Sequence, residues 1–314
     1  MTTAFIFPGQ GSQAVGMGKS LADAFPVARA VFEEVDAALD QKLSALIWDG
    51  PIEELTLTAN AQPALMAVSL AVIRVLESEA GLSIGRDAAF VAGHSLGEYS
   101  ALAAAGTFSI TDAARLLRIR GDAMQQAVPA GMGAMAALLG AELDLARAIA
   151  HDAAQGEICE AANDNGGGQV VLSGAKAAID RAIAMAGERG VKRAILLPVS
   201  APFHCALMLP AAETMRAALA DVAMQAPVVP VMANVGAAPL SDPDAIRISL
   251  IAQVTGTVRW RECVVAMQAA GVTRFVEAGS GKVLAGLVKR IAAGTTSVSL
   301  GTAEDIVNYK SQNG

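Results

Sequence analysis

Hydrophobic positions along the chain alternate between short unbroken apolar runs and longer stretches of helical period. The run over 4–7 reads as a buried strand, and Val27, Val31, Val35 and Leu39 recur every four residues within a helix over 27–40. Residues 62–79 are apolar almost all round, with Pro63 placed in the first turn, and read as a buried helix beneath the active centre. An apolar run over 88–92, a tight turn over 93–97 and a helix over 98–105 closed by Gly106 follow without interruption. A helix over 111–127 then precedes a Pro and Gly cluster at 129–133, PAGMG, where the texture changes. Beyond it, 134–139, 158–162, 169–173 and 191–198 read as strands, and 142–154 and 176–188 as helices. That order, βαββαβ, is the ferredoxin-like arrangement. The larger unit resumes with a helix over 209–224 and strands over 228–233 and 275–277. The expected fold is α/β, a mostly parallel sheet from residues 1–128 and 199–314 interrupted by an inserted ferredoxin-like unit of residues 129–198. The last dozen residues are polar and expected to fray.

Composition narrows the classes of function. The 314 residues are 54% hydrophobic and 17% charged, which excludes a disordered chain. The longest mostly apolar stretch, 63–73, stops at Arg74, short of the ~20 residues a bilayer span needs, so no membrane segment is expected. The opening MTTAFIFPGQGSQ has no basic leader, and a cytoplasmic location is expected. A net charge of -7, with no basic run longer than a pair, disfavours nucleic acid. Cys159, Cys205 and Cys263 are too scattered for a zinc knuckle or a disulfide framework, and no His, Cys and acid cluster has the spacing of metal ligands.

Gly93-His94-Ser95-Leu96-Gly97 fits G-x-S-x-G, whose glycines permit a strained strand-to-helix turn that exposes the central hydroxyl. With 17 Ser and 30 Gly in the chain, only about 0.16 such matches are expected by chance. The flanking strand and helix make Ser95 the candidate nucleophile, and the Leu96 amide at the helix N-terminus a candidate oxyanion donor. A serine needs a base, and the chain has 3 histidines. His94 lies within the turn and His151 in the polar part of a helix, so both are expected to be structural or solvated. His204, in the loop Ser200-Ala201-Pro202-Phe203-His204, is the candidate base. No Asp or Glu stands at a spacing that announces the acid of a triad, so an amide or a backbone carbonyl is expected to orient the imidazole.

On the helix over 111–127, Arg120 shares the apolar face with Ala113, Leu116, Leu117 and Met124, whereas Arg115 and Arg118 point away. A buried guanidinium keeps its charge and requires an anion. A substrate carboxylate, a structural acid such as Glu98, or snorkelling to the surface would each answer that need. Two glycine loops suggest rivals. G-x-G-x-x-A over 9–14 lacks the acidic second strand of a dinucleotide fold, and Gly279-Ser280-Gly281-Lys282 lacks the upstream Gly and following Ser/Thr of a phosphate loop.

Taken together, FPGQGSQ, GHSLGEYSAL, RIRGDAM, SAPFH, the segment 253–260 ending in VRW, and EAGSGKVLAGLVKRI resemble the malonyl-CoA:acyl carrier protein transacylases and the related acyltransferase domains of fatty acid and polyketide synthases. The resemblance spans nearly the whole chain. It implies a hydrolase-like α/β core with an inserted ferredoxin-like subdomain, malonyl-CoA and acyl carrier protein as partners, and a coenzyme A thioester as substrate without a further cofactor; a monomer is expected, although the sequence itself does not fix the oligomeric state. By residue, it implies that Ser95 carries the acyl group, His204 acts as base and then acid, and Gln10 and Leu96 form the oxyanion hole. It further implies that Arg120 pairs with the malonyl carboxylate and that Gln253 supplies the carbonyl holding His204. Phe203 resembles the malonyl-preferring form of its loop. The stretch NDNGGGQ departs from the family's usual Asn-Ser-Pro-Gly-Gln, which leaves the pocket wall around Asn165 open, and Cys205 stands where serine is common. Lys282, Lys289 and Arg290 are the expected patch for an acidic carrier protein.

Overall fold

The computed structural model describes residues 1–313. Among them ten strands form two sheets: β1 (Thr3–Phe7), β2 (Phe90–Gly93), β3 (Gly133–Leu139), β4 (Cys159–Gly166), β5 (Gln169–Ala175), β6 (Arg193–Leu196), β7 (Val231–Ala233), β8 (Ala238–Leu240), β9 (Arg274–Ala278) and β10 (Thr296–Leu300). The larger sheet has the order β10-β9-β1-β2-β7-β8 and is parallel except where β8 returns along β7. A central strand covered on both faces must be apolar at every position, which accounts for the unbroken Ala4-Phe5-Ile6-Phe7. Phe5 and Phe7 enter one core with the helix Thr58–Ala80, and Ala4 and Ile6 enter another with Trp260 and Phe275. Phe7 pairs with Gly93, so β1 and β2 end level. The loops 8–13 and 94–97 therefore emerge side by side at the carboxyl edge, where open α/β sheets take ligands.

The helix Thr58–Ala80 starts earlier than its apolar pattern announces, so Pro63 lies inside it rather than in its first turn. The polar first turn carries no helical period, and Pro63 forfeits only a bond to the carbonyl of Ala59. With 23 residues and a mean hydropathy of 1.4, this helix is long and apolar enough to cross a membrane by composition. In the fold, 83% of that window is buried inside the protein, against helices Pro26–Leu39 and Ile110–Gln126. The crossing with the latter is tight at Gly121, where a Cβ would stand 2.5 Å from Ala59 Cα.

The smaller sheet, β4-β5-β3-β6, is antiparallel throughout and, with helices Leu143–Ala154 and Lys176–Glu188, has the ferredoxin-like βαββαβ order. Alternation divides β3. Ala134, Ala136 and Leu138 pack on the two helices of this unit, while Met135 and Ala137 face the larger unit. Strand β4 continues to Gly166, past its expected end at 162, because the core supplies a partner. Val258 N–H donates to Ala162 O at 2.8 Å and Asp164 N–H to Val258 O at 2.9 Å, and Arg261 pairs with the buried Asp164 at 2.8 Å. The NDNGGG stretch is thus strand through Gly166, and only Gly167 and Gly168 form the turn. Strand β7 starts after Pro230, which has no N–H for the ladder, and the terminal residues expected to fray form a helix, Ala303–Asn313.

Candidate active site

Ser95 stands at the corner between β2 and the helix Gly97–Ala104 with φ of 54°, left-handed and strained for an L-residue. The sequence permits this through its two glycines. A Cβ on Gly93 would lie 1.9 Å from the Gly97 carbonyl, and one on Gly97 would lie 2.3 Å from Phe7 O. Asn234, directly after β7, locks the corner: its Oδ1 accepts from Ser95 N–H and its Nδ2 donates to Gly93 O, each at 2.8 Å. The Leu96 amide heads the helix beside the loop that carries Gln10, and both residues line the same cavity.

His204 brings Nε2 to 2.7 Å from Ser95 Oγ, and its Nδ1 lies 2.8 Å from the main-chain oxygen of Gln253. A carbonyl can only accept, so Nδ1 carries the proton and Nε2 is free to accept from the serine. The orienting group is a backbone carbonyl at residue 253. Burial, reinforced by the nearby Arg120 charge, pushes the imidazole down to about 3, so the ring is a neutral base at ordinary pH.

Arg120 is 1% exposed. Gly121 beside it allows the close helix crossing that sets its Nη1 2.7 Å from Gln62 Oε1. Nη2 donates to Gln253 Oε1 at 2.9 Å and to Ser95 Oγ at 3.2 Å, and the Tyr99 ring lies 5.7 Å from the guanidinium. Burial draws its pKa down, opposed by Tyr99 and Glu98. Among the described residues it forms no direct ion pair, snorkels nowhere, and points its charge at the candidate nucleophile. Glu98, the acid that sequence offered as its partner, instead accepts on Oε2 from Asn234 N–H and Gln253 Nε2, each at 2.9 Å. Burial raises this carboxyl to about 7.

Ser95, His204, Arg120 and Gln62 open onto a cavity of about 490 Å³. Phe203 and Asn165 are in its wall with Met135, Ala137 and Val171 of the smaller sheet. Asn165 Oδ1 lies 2.8 Å from His94 Nε2, and His94 is half-buried beside Trp260 with ring centres 5.9 Å apart. His94 therefore braces the wall, whereas His151 is exposed beside Asp152. Lys282, Lys289 and Arg290 are exposed on and before the helix Val283–Ile291, whose Val283, Leu284 and Leu287 line the cavity. The start of that helix is already taken: buried Glu277 accepts from Leu284 N–H at 3.0 Å and Ala285 N–H at 2.8 Å. The Leu284 and Ala285 amides that follow the Gly279–Lys282 loop are therefore committed to a carboxylate of the protein itself.

Sequence reasoning missed three contributors. Gln62 was visible as a polar residue in an apolar buried helix, which is a usable signal. Glu98 surfaced only as an alternative partner for Arg120. Asn234 follows a three-residue strand and carries no local mark.

A serine at a strained corner, a neutral imidazole on it and an unneutralised guanidinium beside it match the chemistry of acyl transfer, and the sequence comparison agrees. The profile of the acyl transferase domain matches residues 4–307. The chain belongs to the acyl transferase family. This acyltransferase is 46% identical over 281 residues to the malonyl CoA-acyl carrier protein transacylase of Escherichia coli K12, covering 90% of each chain. It superposes on the crystal structure of acyl-carrier-protein-S-malonyltransferase from Bartonella henselae with a TM-score of 0.96 at 57% identity, over 98% of both chains. It also matches a malonyl-transacylase solved in complex with its type II PKS acyl-carrier protein, with a TM-score of 0.96, 40% identity and 100% coverage of both chains.

Proposed function

We propose that this acyltransferase moves the malonyl group of malonyl-CoA to the phosphopantetheine thiol of acyl carrier protein through an ester on Ser95, in fatty acid or polyketide biosynthesis. The observation that carries the reading is Arg120: a buried cation 3.2 Å from Ser95 Oγ, held by amide oxygens and free of any direct carboxylate. A diacid thioester brings the missing anion on the end opposite its reacting carbonyl.

In the first half-reaction His204 Nε2 takes the Ser95 proton as Oγ bonds to the thioester carbon. The Gln10 and Leu96 amides receive the developing oxyanion. The carbon–sulfur bond breaks, and His204 returns its proton to the leaving coenzyme A thiolate. The second half-reaction reverses these steps with the carrier thiol as nucleophile, so coenzyme A enters as substrate and no redox step arises. The chain then divides into a catalytic core, 1–128 and 199–314, and an inserted unit, 129–198, whose sheet closes the acyl pocket with Asn165. Phe203 crowds the position of a 2-methyl group, a discrimination of ~1–3 kcal/mol. Lys282, Lys289 and Arg290, beside the mouth, receive the acidic carrier.

Mass spectrometry after mixing with malonyl-CoA is expected to show a covalent malonyl adduct that Ser95→Ala abolishes. Arg120→Ala is expected to slow malonyl loading about 10- to 100-fold more than acetyl loading, the loss of a charge-assisted pair of about 1.5–3 kcal/mol. An unmodified native enzyme, or hydrolysis that ignores added carrier protein, overturns the reading.

A further inference from the structure

Beneath the reacting groups lies a carboxylate to which the reaction assigns no step. Glu98 is 1% exposed, one residue into the helix after the nucleophile corner. Only one of its oxygens is engaged: Oε2 accepts from Asn234 N–H and from Gln253 Nε2, while Oε1 has no partner among the described residues. The same Gln253 Nε2 also donates to Ser95 O at 3.1 Å and lies 3.3 Å from Asn234 Oδ1, its Oε1 turns to Arg120 at 2.9 Å, and the main-chain oxygen of that residue holds His204.

A glutamine amide can face either way, and its neighbours decide which. A carboxylate or carbonyl oxygen on one side compels the NH2 to that side and the oxygen to the other. Reversed, the amide would set its NH2 against the Arg120 guanidinium and its oxygen against the Glu98 carboxylate, the Ser95 carbonyl and Asn234 Oδ1, repulsions in place of hydrogen bonds. We propose that Glu98 is a positioning residue, acting through the Gln253 amide to hold Arg120 where a substrate carboxylate meets it. The inference rests on the malonyl-transfer reading above. It makes geometry rather than charge the operative property, because what the Oε2 position contributes is the shortest of the three acceptor contacts that face the Gln253 NH2.

The geometry dictates which substitutions matter. Glu98→Gln keeps the chain length and can place its carbonyl oxygen at the Oε2 position. Glu98→Asp keeps the ionisable group but is one methylene short of spanning to both Asn234 and Gln253. The experiment measures loading of Ser95 from malonyl-CoA and from acetyl-CoA by mass spectrometry and thiol release in the native enzyme and both variants. Glu98→Gln is expected to hold the native malonyl-to-acetyl ratio to within about threefold, and Glu98→Asp to lower it by about tenfold or more, as ångström-scale misplacement does. A native ratio in Glu98→Asp overturns the proposal, and so does an equal fall in both variants, which would assign the effect to charge. Native enzyme that loads no malonyl overturns the underlying reading, and this inference with it.

Discussion

Ser95 and His204 both occupy left-handed backbone, with φ of 54° and 59°. Strain of this kind costs about 1–3 kcal/mol per residue and survives only where neighbours over-determine it. Asn234 supplies that constraint for the serine, and the Gln253 carbonyl fixes the ring of the histidine. Burial displaces the imidazole pKa downward, so the protonation that silences the base is deferred to lower pH. At pH 5.5 an ordinary imidazole is only about one-tenth neutral. Here kcat/KM for thiol release from malonyl-CoA is expected to stay within about twofold between pH 8 and 5.5 with no inflection near 6.5, and a stopped-flow thiol assay across that range checks it. Glu98, raised to about 7, titrates inside the same window without disturbing this profile, because its free Oε1 takes the proton and Oε2 keeps both hydrogen bonds.

At the scale of elements, the strand, turn and helix around Ser95 follow from local sequence, because G-x-S-x-G between an apolar run and a helix has few other solutions. The βαββαβ order of the smaller sheet was legible for the same reason, each element carrying its own period. The continuation of β4 to Gly166 was not, since it depends on Val258, about a hundred residues later in the chain. The partners of Arg120 were hidden similarly: its helical phase showed that it turns inward, but only the close crossing at Gly121 brings Gln62 to it. The role of the elbow glycines is measurable. Gly97→Ala is expected to cost about 3 kcal/mol or more, since the added methyl meets backbone rather than a movable side chain, and to abolish malonyl loading. Gly187→Ala, in the helix Lys176–Glu188 with open space at its Cβ, is expected to stabilise by about 0.5–1 kcal/mol through helix propensity. Chemical denaturation of the two variants beside the native protein tests the contrast.

Across the whole molecule, β4 of the smaller sheet is tied to the rest of the chain along a seam in which Val258 bonds to Ala162 and Asp164 and Arg261 covers Asp164. Asp164 is 2% exposed, so Arg261→Ala leaves a buried acid without its cation. The expected loss is about 1–3 kcal/mol, read as a Tm lower by several degrees, together with slower malonyl loading as the wall bearing Asn165 relaxes. An unchanged Tm would mean that the seam is held by its backbone bonds alone.

The groups that converge on the serine hydroxyl come from positions 62, 95, 120, 204 and 253, so nearly every contact in the centre joins remote stretches of chain. During synthesis, a polypeptide released as far as residue 252 owns the hydroxyl, the guanidinium and the ring, yet lacks the oxygen that sets the ring's tautomer. Chemical competence therefore arrives late and all at once, after the ordering of long-range topology that dominates folding time. On the malonyl-transfer reading, copies ending before residue 253 would not sequester the thioester, and formation of the seryl ester would report that this long-range assembly is in place.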